Sequence, residues 1–136
     1  MQRLGLVTLC LLGSVGCATL PAEVQDDMNA VIGVTDAWTK AITANDVDAL
    51  MVLYSEDFKD DEGNTKADFR EFITDTIGQG ILTNVEVSTE YAELVIEDDT
   101  AAYNNIDLNS DVGAITVDLT LGREGSGWSV VSMLAR

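Results

Sequence analysis

The stretch VIGVTDAWTKAITANDVDALMVLYSEDF, residues 31–58, decides how this chain folds. Apolar residues before Asn45 recur in steps of three and four, as on the buried stripe of an amphipathic helix. Asn45 tolerates the left-handed conformation that ends a helix, and Asp46 is a residue type that caps the next one. The stretch therefore predicts a long helix over residues 22–44, a tight corner, a short helix over residues 47–53 and a short strand around Asp57–Lys59.

A polar loop and a third helix follow. Thr65 has the residue type of an N-cap, and Asp68 three residues later completes a variant of the capping box. Gly78 or Gly80 marks the end of this helix. Its predicted inner face consists of Phe69, Phe72, Ile73, Thr76 and Ile77.

The loop itself, DDEGN at residues 60–64, resembles part of a calcium-binding loop. An EF-hand frame aligned on Gly63 places Phe58 and Phe69 where carboxylate ligands belong, so the sequence excludes an EF-hand. A solvated turn and a looser cation site remain as alternatives.

After Gly80 the hydrophobic period changes from helical to two. Four runs predict strands joined by short turns, and the first of them slips in phase at Ala92, as at a bulge or bend. Short turns between successive strands predict an antiparallel meander. The expected fold class is α+β, with three helices packed on a curved antiparallel sheet in the order α-α-β-α-β-β-β-β. The predicted inward sheet face carries Val87, Asn104, Ile106, Val117 and Leu119.

Composition limits the function classes. The 136 residues fit one domain with a real core. With 24 acidic and 7 basic residues the formal net charge is −17, which argues against nucleic-acid binding. The chain has no histidine, so it lacks the commonest general base and metal ligand. The sequence predicts no metal and no other cofactor.

The first 16 residues have the layout of a secretory signal peptide, with Arg3 before an apolar run too short to span a bilayer. Gly16-Cys17 resembles the lipobox of bacterial lipoproteins, which implies cleavage before Cys17 and lipidation of that residue, although Ser14 stands where the family usually has Leu. An ordinary signal peptide cleaved near Ala18 is the alternative. The expected organisation is a signal at residues 1–16, a lipidated cysteine and tether at residues 17–21, and a domain at residues 22–136. Ala18 after the cysteine implies the outer membrane, with the domain facing the periplasm.

From residue 22 onward the chain resembles the nuclear transport factor 2-like domains of the SnoaL-like, cystatin-like cone type. The resemblance rests on four segments in the family's order. They are AWTKAITANDVDALMVLYSEDF, TKADFREFI, DDTAAYNNIDL and LGREGSGWSVVSM. It implies a conical pocket between sheet and helices but no particular function, because this fold serves many activities.

By this analogy six residues would line the pocket: Trp38, Tyr54, Phe58, Phe72, Asn104 and Val117. The alternative is that these side chains fill the cone as core. Asn104 stands out as a polar residue on a predicted apolar face, so its amide must meet a ligand or internal partners.

Catalysis has weak support in the sequence. Asp60 or Asp61 occupies roughly the place of the catalytic aspartate in ketosteroid isomerases of this fold, which makes either one a candidate general base. No oxyanion partner is recognisable, because Asp118 has the parity of the outer sheet face. The sequence therefore predicts a non-catalytic, membrane-tethered domain that binds a small apolar ligand or a protein, with an isomerase- or dehydratase-type enzyme as the alternative.

The half-polar outer face (Thr116, Asp118, Thr120, Tyr103) suggests a homodimer.

Overall fold

The computed structural model describes residues 22–136, where three helices precede a five-stranded antiparallel sheet. The helices are α1 (Ala22–Thr43), α2 (Val47–Val52) and α3 (Lys66–Gly78). The strands are β1 (Glu86–Ser88), β2 (Glu93–Glu97), β3 (Thr100–Ser110), β4 (Gly113–Glu124) and β5 (Gly127–Ala135). This arrangement confirms the predicted α+β class. The predicted signal, Cys17 and the tether lie outside the described residues. Within residues 22–136, no helix is long and apolar enough to cross a membrane.

The helix ends lie where local sequence predicted them. Asn45 adopts a left-handed φ of 55°, and the Asp46 side chain accepts a hydrogen bond from the Ala49 N–H at 3.1 Å. At α3, Thr65 and Asp68 form the reciprocal bonds of a capping box. These caps begin α2 and α3, and the left-handed Asn45 turns the chain between α1 and α2.

The sheet order is β1-β3-β4-β5, and β2 pairs with the same edge of β3 as β1 does. The predicted slip at Ala92 is a break between β1 and β2, closed by a bond from the Ala92 N–H to the Thr89 carbonyl at 3.1 Å. The short strands β1 and β2 thus pair one after the other along the same edge of the longer strand β3. The break between them and the bulge in β3 allow the sheet to curve.

β3 carries a bulge that reverses the predicted alternation of its first half. Its pairing with β4 shifts directly after Tyr103, and Asn105 adopts a left-handed φ of 65°. Because the bulge adds one residue, Tyr103 pairs with the fully buried Leu119 and points inward, although the alternation placed it outside. Asn104 pairs with an exposed residue of β2 and lies on the outer face, so its predicted inward position is wrong.

The short strand expected around Asp57–Lys59 is not a regular strand. The segment instead makes isolated contacts, with a parallel bridge from Tyr54 to Val130 and a bond from the Lys59 N–H to the Val131 carbonyl at 3.1 Å. The turn after Ser55, closed by the Phe58 N–H, interrupts regular pairing. The segment therefore borders β5 without joining the sheet.

Candidate functional site

A depression of about 350 Å³ lies between the loop at residues 60–64, the start of α3 and the end of β5. We call it the acidic groove. Two kinds of predicted site residue meet there. The candidate bases are Asp60 and Asp61, and the predicted pocket residue is Phe72. The lining residues are Asp60, Asp61, Glu62, Asn64, Asp68, Phe69, Phe72, Met133 and Ala135.

Asp60 fixes the shape of the loop on one side of the groove. Its Oδ1 accepts bonds from the N–H groups of Glu62 at 2.9 Å and Asn64 at 2.8 Å, and its Oδ2 accepts from Asn64 Nδ2 at 2.8 Å. Partial burial alone would raise the pKa of the Asp60 carboxyl, but these donors outweigh it and hold that pKa below its usual value. Asp60 is therefore a structural anion.

The opposite wall of the groove is apolar and partly uncovered. Phe69 is buried, whereas Phe72 is 62% exposed, with its ring centroid 6.4 Å from that of Phe69. The prediction that Phe72 faces inward is wrong, because the buried stripe of α3 follows Phe69, Ile73 and Ile77. At 100° per residue, Phe72 lies about 60° from Phe69 and about 100° from Ile73, outside the edge of that stripe. An aromatic ring is thus available at the mouth of the groove.

Tyr54 lies beneath the floor of the groove. Its ring stacks on Phe69 with centroids 4.8 Å apart, its hydroxyl accepts a bond from Trp38 Nε1 at 3.0 Å, and it donates to Met133 Sδ at 3.5 Å. Burial raises the pKa of the Tyr54 hydroxyl, and the Trp38 bond offsets this only in part. Tyr54 supports two groove residues from below without lining the groove itself.

The predicted pocket residues separate into three groups. Trp38, Tyr54, Phe58 and Val117 are between 1% and 3% exposed and belong to the packed core. Phe72 lines the acidic groove, and Asn104 lies on the other side of the sheet. Whether any of the six touches a ligand stays a prediction.

Met133 was not among the predicted site residues. Counting alternate residues from Trp128 and Val130 places Met133 on the outer face. The pairing between β4 and β5 shifts between Thr120 and Leu121, and Met133 consequently pairs with the buried Leu119 on the inner side. The signal that could have placed Met133 is the adjacent pair Val130-Val131, where the apolar residues change parity.

The groove combines negative charge with an aromatic surface. No Lys or Arg is among its lining residues, and no described hydrogen bond or ion pair engages the side chains of Asp61 or Glu62. Within residues 22–136 no cluster of three His, Cys, Asp or Glu side chains is placed to hold a metal. Carboxylates beside an exposed phenyl ring suit an organic cation, which gains from both the charge and the ring face.

Comparison with known proteins establishes the fold. No protein-family model matches the chain, and no curated protein matches it significantly. Among solved structures, a nuclear transport factor 2-like protein of unknown function from Shewanella baltica aligns over 86% of this chain and 97% of its own, with 15% identity and a TM-score of 0.66.

Two further solved structures also align with the fold of this chain. A candidate dehydratase of the nuclear transport factor 2-like family from Streptomyces avermitilis aligns over 82% of this chain and 95% of its own, with 13% identity and a TM-score of 0.62. Bd1075 of Bdellovibrio bacteriovorus aligns over 77% of this chain but 38% of its own, with 13% identity and a TM-score of 0.66. The chain therefore has the nuclear transport factor 2-like fold, and identities this low extend to fold alone.

Proposed function

We propose that this protein is a non-catalytic ligand-binding domain, tethered to the bacterial envelope through a lipidated Cys17. The observation that carries the binding proposal is the acidic groove, where Phe72 remains 62% exposed beside carboxylates that have no basic partner in the lining. A core-filling phenylalanine would be buried, so this ring is available to a ligand.

The proposed ligand is a small organic cation with an apolar body. Its apolar part would pack on Phe69, Phe72 and Met133, and its positive group would lie beside Asp61 or Glu62. The filled core beneath supports this location, because Trp38 and Tyr54 occupy the interior and are hydrogen-bonded to each other. A ligand would thus bind at the mouth of the cone.

A titration with a simple probe tests this proposal. Benzyltrimethylammonium should shift the NMR signals of groove residues, whereas benzoate, of similar size and opposite charge, should not. Phe72→Ala and Asp61→Asn should each weaken binding several-fold, as expected for a cation–π contact and an exposed charge. Val52→Ala, at another exposed apolar position, serves as the control. Equal shifts from both probes, or shifts located elsewhere, would exclude the cation proposal.

The tether rests on the sequence at residues 1–17 and has a separate test. Wild-type protein should fractionate with membranes and carry acyl chains on Cys17 by mass spectrometry of the N-terminal peptide. Cys17→Ala should release the protein into the soluble fraction, because the substitution removes the acyl chains that provide stable anchoring. Membrane association that survives this substitution refutes the tether but leaves the groove proposal intact.

The enzyme alternative keeps one observation in its favour, since Asp60 and Asp61 both line the groove. A general base works best with a pKa near the operating pH, whereas the pKa of Asp60 is lowered. The phenol that contacts the groove residues Phe69 and Met133, that of Tyr54, is buried and hydrogen-bonded to Trp38 and Met133. Carboxyl NMR titration distinguishes the two functions: a pKa near neutrality for Asp60 or Asp61 would favour the enzyme.

The homodimer through the outer sheet face also remains a proposal. Uncharged residues run across this face from β2 to β5, where Val95, Ala102, Thr120 and Ser132 are neighbours in the pairing. Sedimentation of the detergent-solubilised protein should give a dimer that Thr120→Arg disrupts. A monomer at all accessible concentrations would remove this part of the proposal.

A further inference from the structure

The domain has two ends, and α1 begins at one of them. Near its start, Asp27 Oδ2 accepts a bond from Arg123 Nη2 at 2.8 Å, and Arg123 Nε donates to Asp99 Oδ1 at 2.8 Å. These contacts place the start of α1 beside the β2–β3 and β4–β5 turns. Only five peptide links separate Cys17 from Ala22, a reach of about 17 Å. If Cys17 is lipidated, this end faces the membrane, and we call it the anchored end.

The opposite end lies about 33 Å away, as the 22 residues of α1 and the 11 residues of β3 both indicate. There Asn45 Nδ2, just after α1, donates to the Leu82 carbonyl at 3.3 Å. The Asp111 N–H at the β3–β4 turn donates to the Thr83 carbonyl at 3.4 Å. The α3–β1 loop and the β3–β4 hairpin therefore meet at the end remote from the anchor.

This remote end exposes apolar surface. Ile81 is 37%, Val112 66% and Ile115 44% exposed, and all three line one depression of about 180 Å³. We call these three residues the distal patch. The floor beneath them is apolar too, consisting of Leu82, Val85 and Leu108. Such a hollow has room for one apolar side chain from another molecule.

Val112 forms part of the rim of the distal patch. It lies at the tip of the β3–β4 hairpin between Asp111 and Gly113, and 66% of its surface is exposed. With Ile81 and Ile115 it leaves apolar surface in water around one depression. Burial of that surface against an apolar group would be favourable.

Charge indicates the kind of partner. Asp111 and Glu86 border the patch, and no Lys or Arg lines its depression. These two carboxylates would lie close to any acidic segment docked on the patch and would repel it. A basic polypeptide that presents an apolar side chain is complementary in both respects.

We propose that the distal patch is a docking surface for a basic segment of another envelope protein, with an apolar side chain of that segment inserted over Val85 and Leu108. The orientation away from the membrane rests on the proposed tether, but the chemistry of the patch does not. Binding here is independent of the acidic groove, because the two depressions share no lining residue.

Site-specific photocrosslinking in native membranes tests the location. The full-length protein would carry p-benzoylphenylalanine in place of Val112 or, as a matched control, in place of Val52, which is 81% exposed on α2. Position 112 should give one discrete protein adduct that position 52 does not give. Adducts with lipid, adducts with a second copy of this chain, or identical patterns from both positions would overturn the proposal.

The crosslinked segment then provides the decisive measurement. A synthetic peptide of that segment should contain Lys or Arg beside an apolar residue and bind the purified full-length protein. Val112→Asn should weaken this binding at least tenfold, and Val52→Asn should leave it unchanged. A peptide without basic residues, or binding unaffected by Val112→Asn, would refute the proposal. Repeating the crosslinking with Cys17→Ala separates the two claims, because loss of the tether removes the orientation while peptide binding persists.

Discussion

At the scale of single residues, Asp60 shows how one carboxylate can organise a loop and lose its value as a base. Its oxygens accept three hydrogen bonds from the loop that it starts. Each of these bonds stabilises the ionised form, so the geometry that fixes the wall of the groove also lowers the basicity of the carboxylate. Asp61, next in the chain, is free of these contacts and therefore available to a ligand.

Replacing Asp60 should therefore cost stability in a pH-dependent way. Asp60→Ala should lower the free energy of unfolding by about 1 to 2 kcal/mol at pH 7, because loop N–H groups lose their acceptor. The native pKa of Asp60 lies below its unfolded value, so this stabilisation is complete above about pH 4 and is lost as the pH falls through the native pKa. Urea denaturation at pH 7 and pH 3 measures the difference.

Asp61→Ala is the matched control for this experiment, since the described contacts include none from its side chain. It should leave the unfolding free energy nearly unchanged at both pH values. A loss as large as that of Asp60→Ala would show that the loop does not depend on the Asp60 contacts.

The capping residues were predictable for the same reason that Asp60 is effective: their partners lie within four residues along the chain. Asn45, Asp46 and Thr65 each have roles that local sequence determines. Phe72 was assigned to the wrong face because the buried stripe of α3 is narrower than expected and does not include it. The width of that stripe depends on the residues that pack against α3, which lie elsewhere in the chain. Local signals were sufficient for caps and insufficient for the groove.

At the scale of whole elements, the bulge in β3 controls which side chains enter the core. Asn105 has a φ of 65° there, its N–H donates to Asp118 Oδ1 at 2.8 Å, and its Oδ1 accepts from Arg136 Nη2 at 2.8 Å. Arg136 also pairs with Asp118. The bulge is thus held by backbone conformation and by this cluster on the outer face.

Two substitutions separate these contributions. Asn105→Gly keeps the left-handed conformation and loses the side-chain bond, whereas Asn105→Ala also incurs the backbone penalty of about 1 kcal/mol. Thermal unfolding should therefore rank wild type above Gly and Gly above Ala. Asn104→Ala, one residue earlier, should change little, because that side chain is partly exposed on the outer face and makes no hydrogen bond described for the bulge. Equal losses for Gly and Ala would mean that the conformation of Asn105 is not limiting.

The sequence shows alternation within a strand and only some of the irregularities that shift it. At Ala92, and again at Val130-Val131, the apolar residues themselves change parity, and Met133 accordingly lies on the inner side. At Asn105 the extra residue is one of two adjacent asparagines and changes no apolar parity, so Tyr103 and Asn104 lie on the faces opposite to those predicted. Register follows the hydrophobic pattern, and an extra polar residue leaves that pattern unchanged.

Arg123 connects the elements at the anchored end. It bonds to Asp27 of α1 and to Asp99 of the β2–β3 turn, while its guanidinium lies 4.7 Å from the Trp128 ring centroid. Arg123→Lys cannot reach both carboxylates with a planar fork, so hydrogen exchange in the first two turns of α1 should accelerate several-fold. Lys40→Arg, near the other end of α1, is the control. Unchanged exchange in Arg123→Lys would show that α1 is held by its apolar stripe alone.

At the scale of the molecule, fold and function separate because they depend on different parts of the chain. The fold follows from periodic apolar residues spread over the described residues, such as Val31, Trp38 and Leu50, and a structure with 13% identity shares that fold. The two candidate binding surfaces depend on a few loop and turn residues, such as Asp61 and Val112. Loops vary most among proteins that share a scaffold, so neither the pattern nor the fold specifies a ligand.

The net charge of the whole molecule predicts how the Tm depends on salt concentration. With 24 acidic residues against 7 basic ones, most carboxylates have no oppositely charged neighbour, and their mutual repulsion opposes the compact state. Added salt screens this repulsion over a Debye length that falls from about 30 Å at 0.01 M to about 8 Å at 0.15 M. The same salt weakens exposed ion pairs such as that of Arg70 with Asp48, but such pairs contribute about 1 kcal/mol or less. The Tm should therefore rise between 0.01 M and 0.5 M NaCl, most steeply below 0.15 M, and a Tm that falls over this range would mean that the ion pairs outweigh the repulsion.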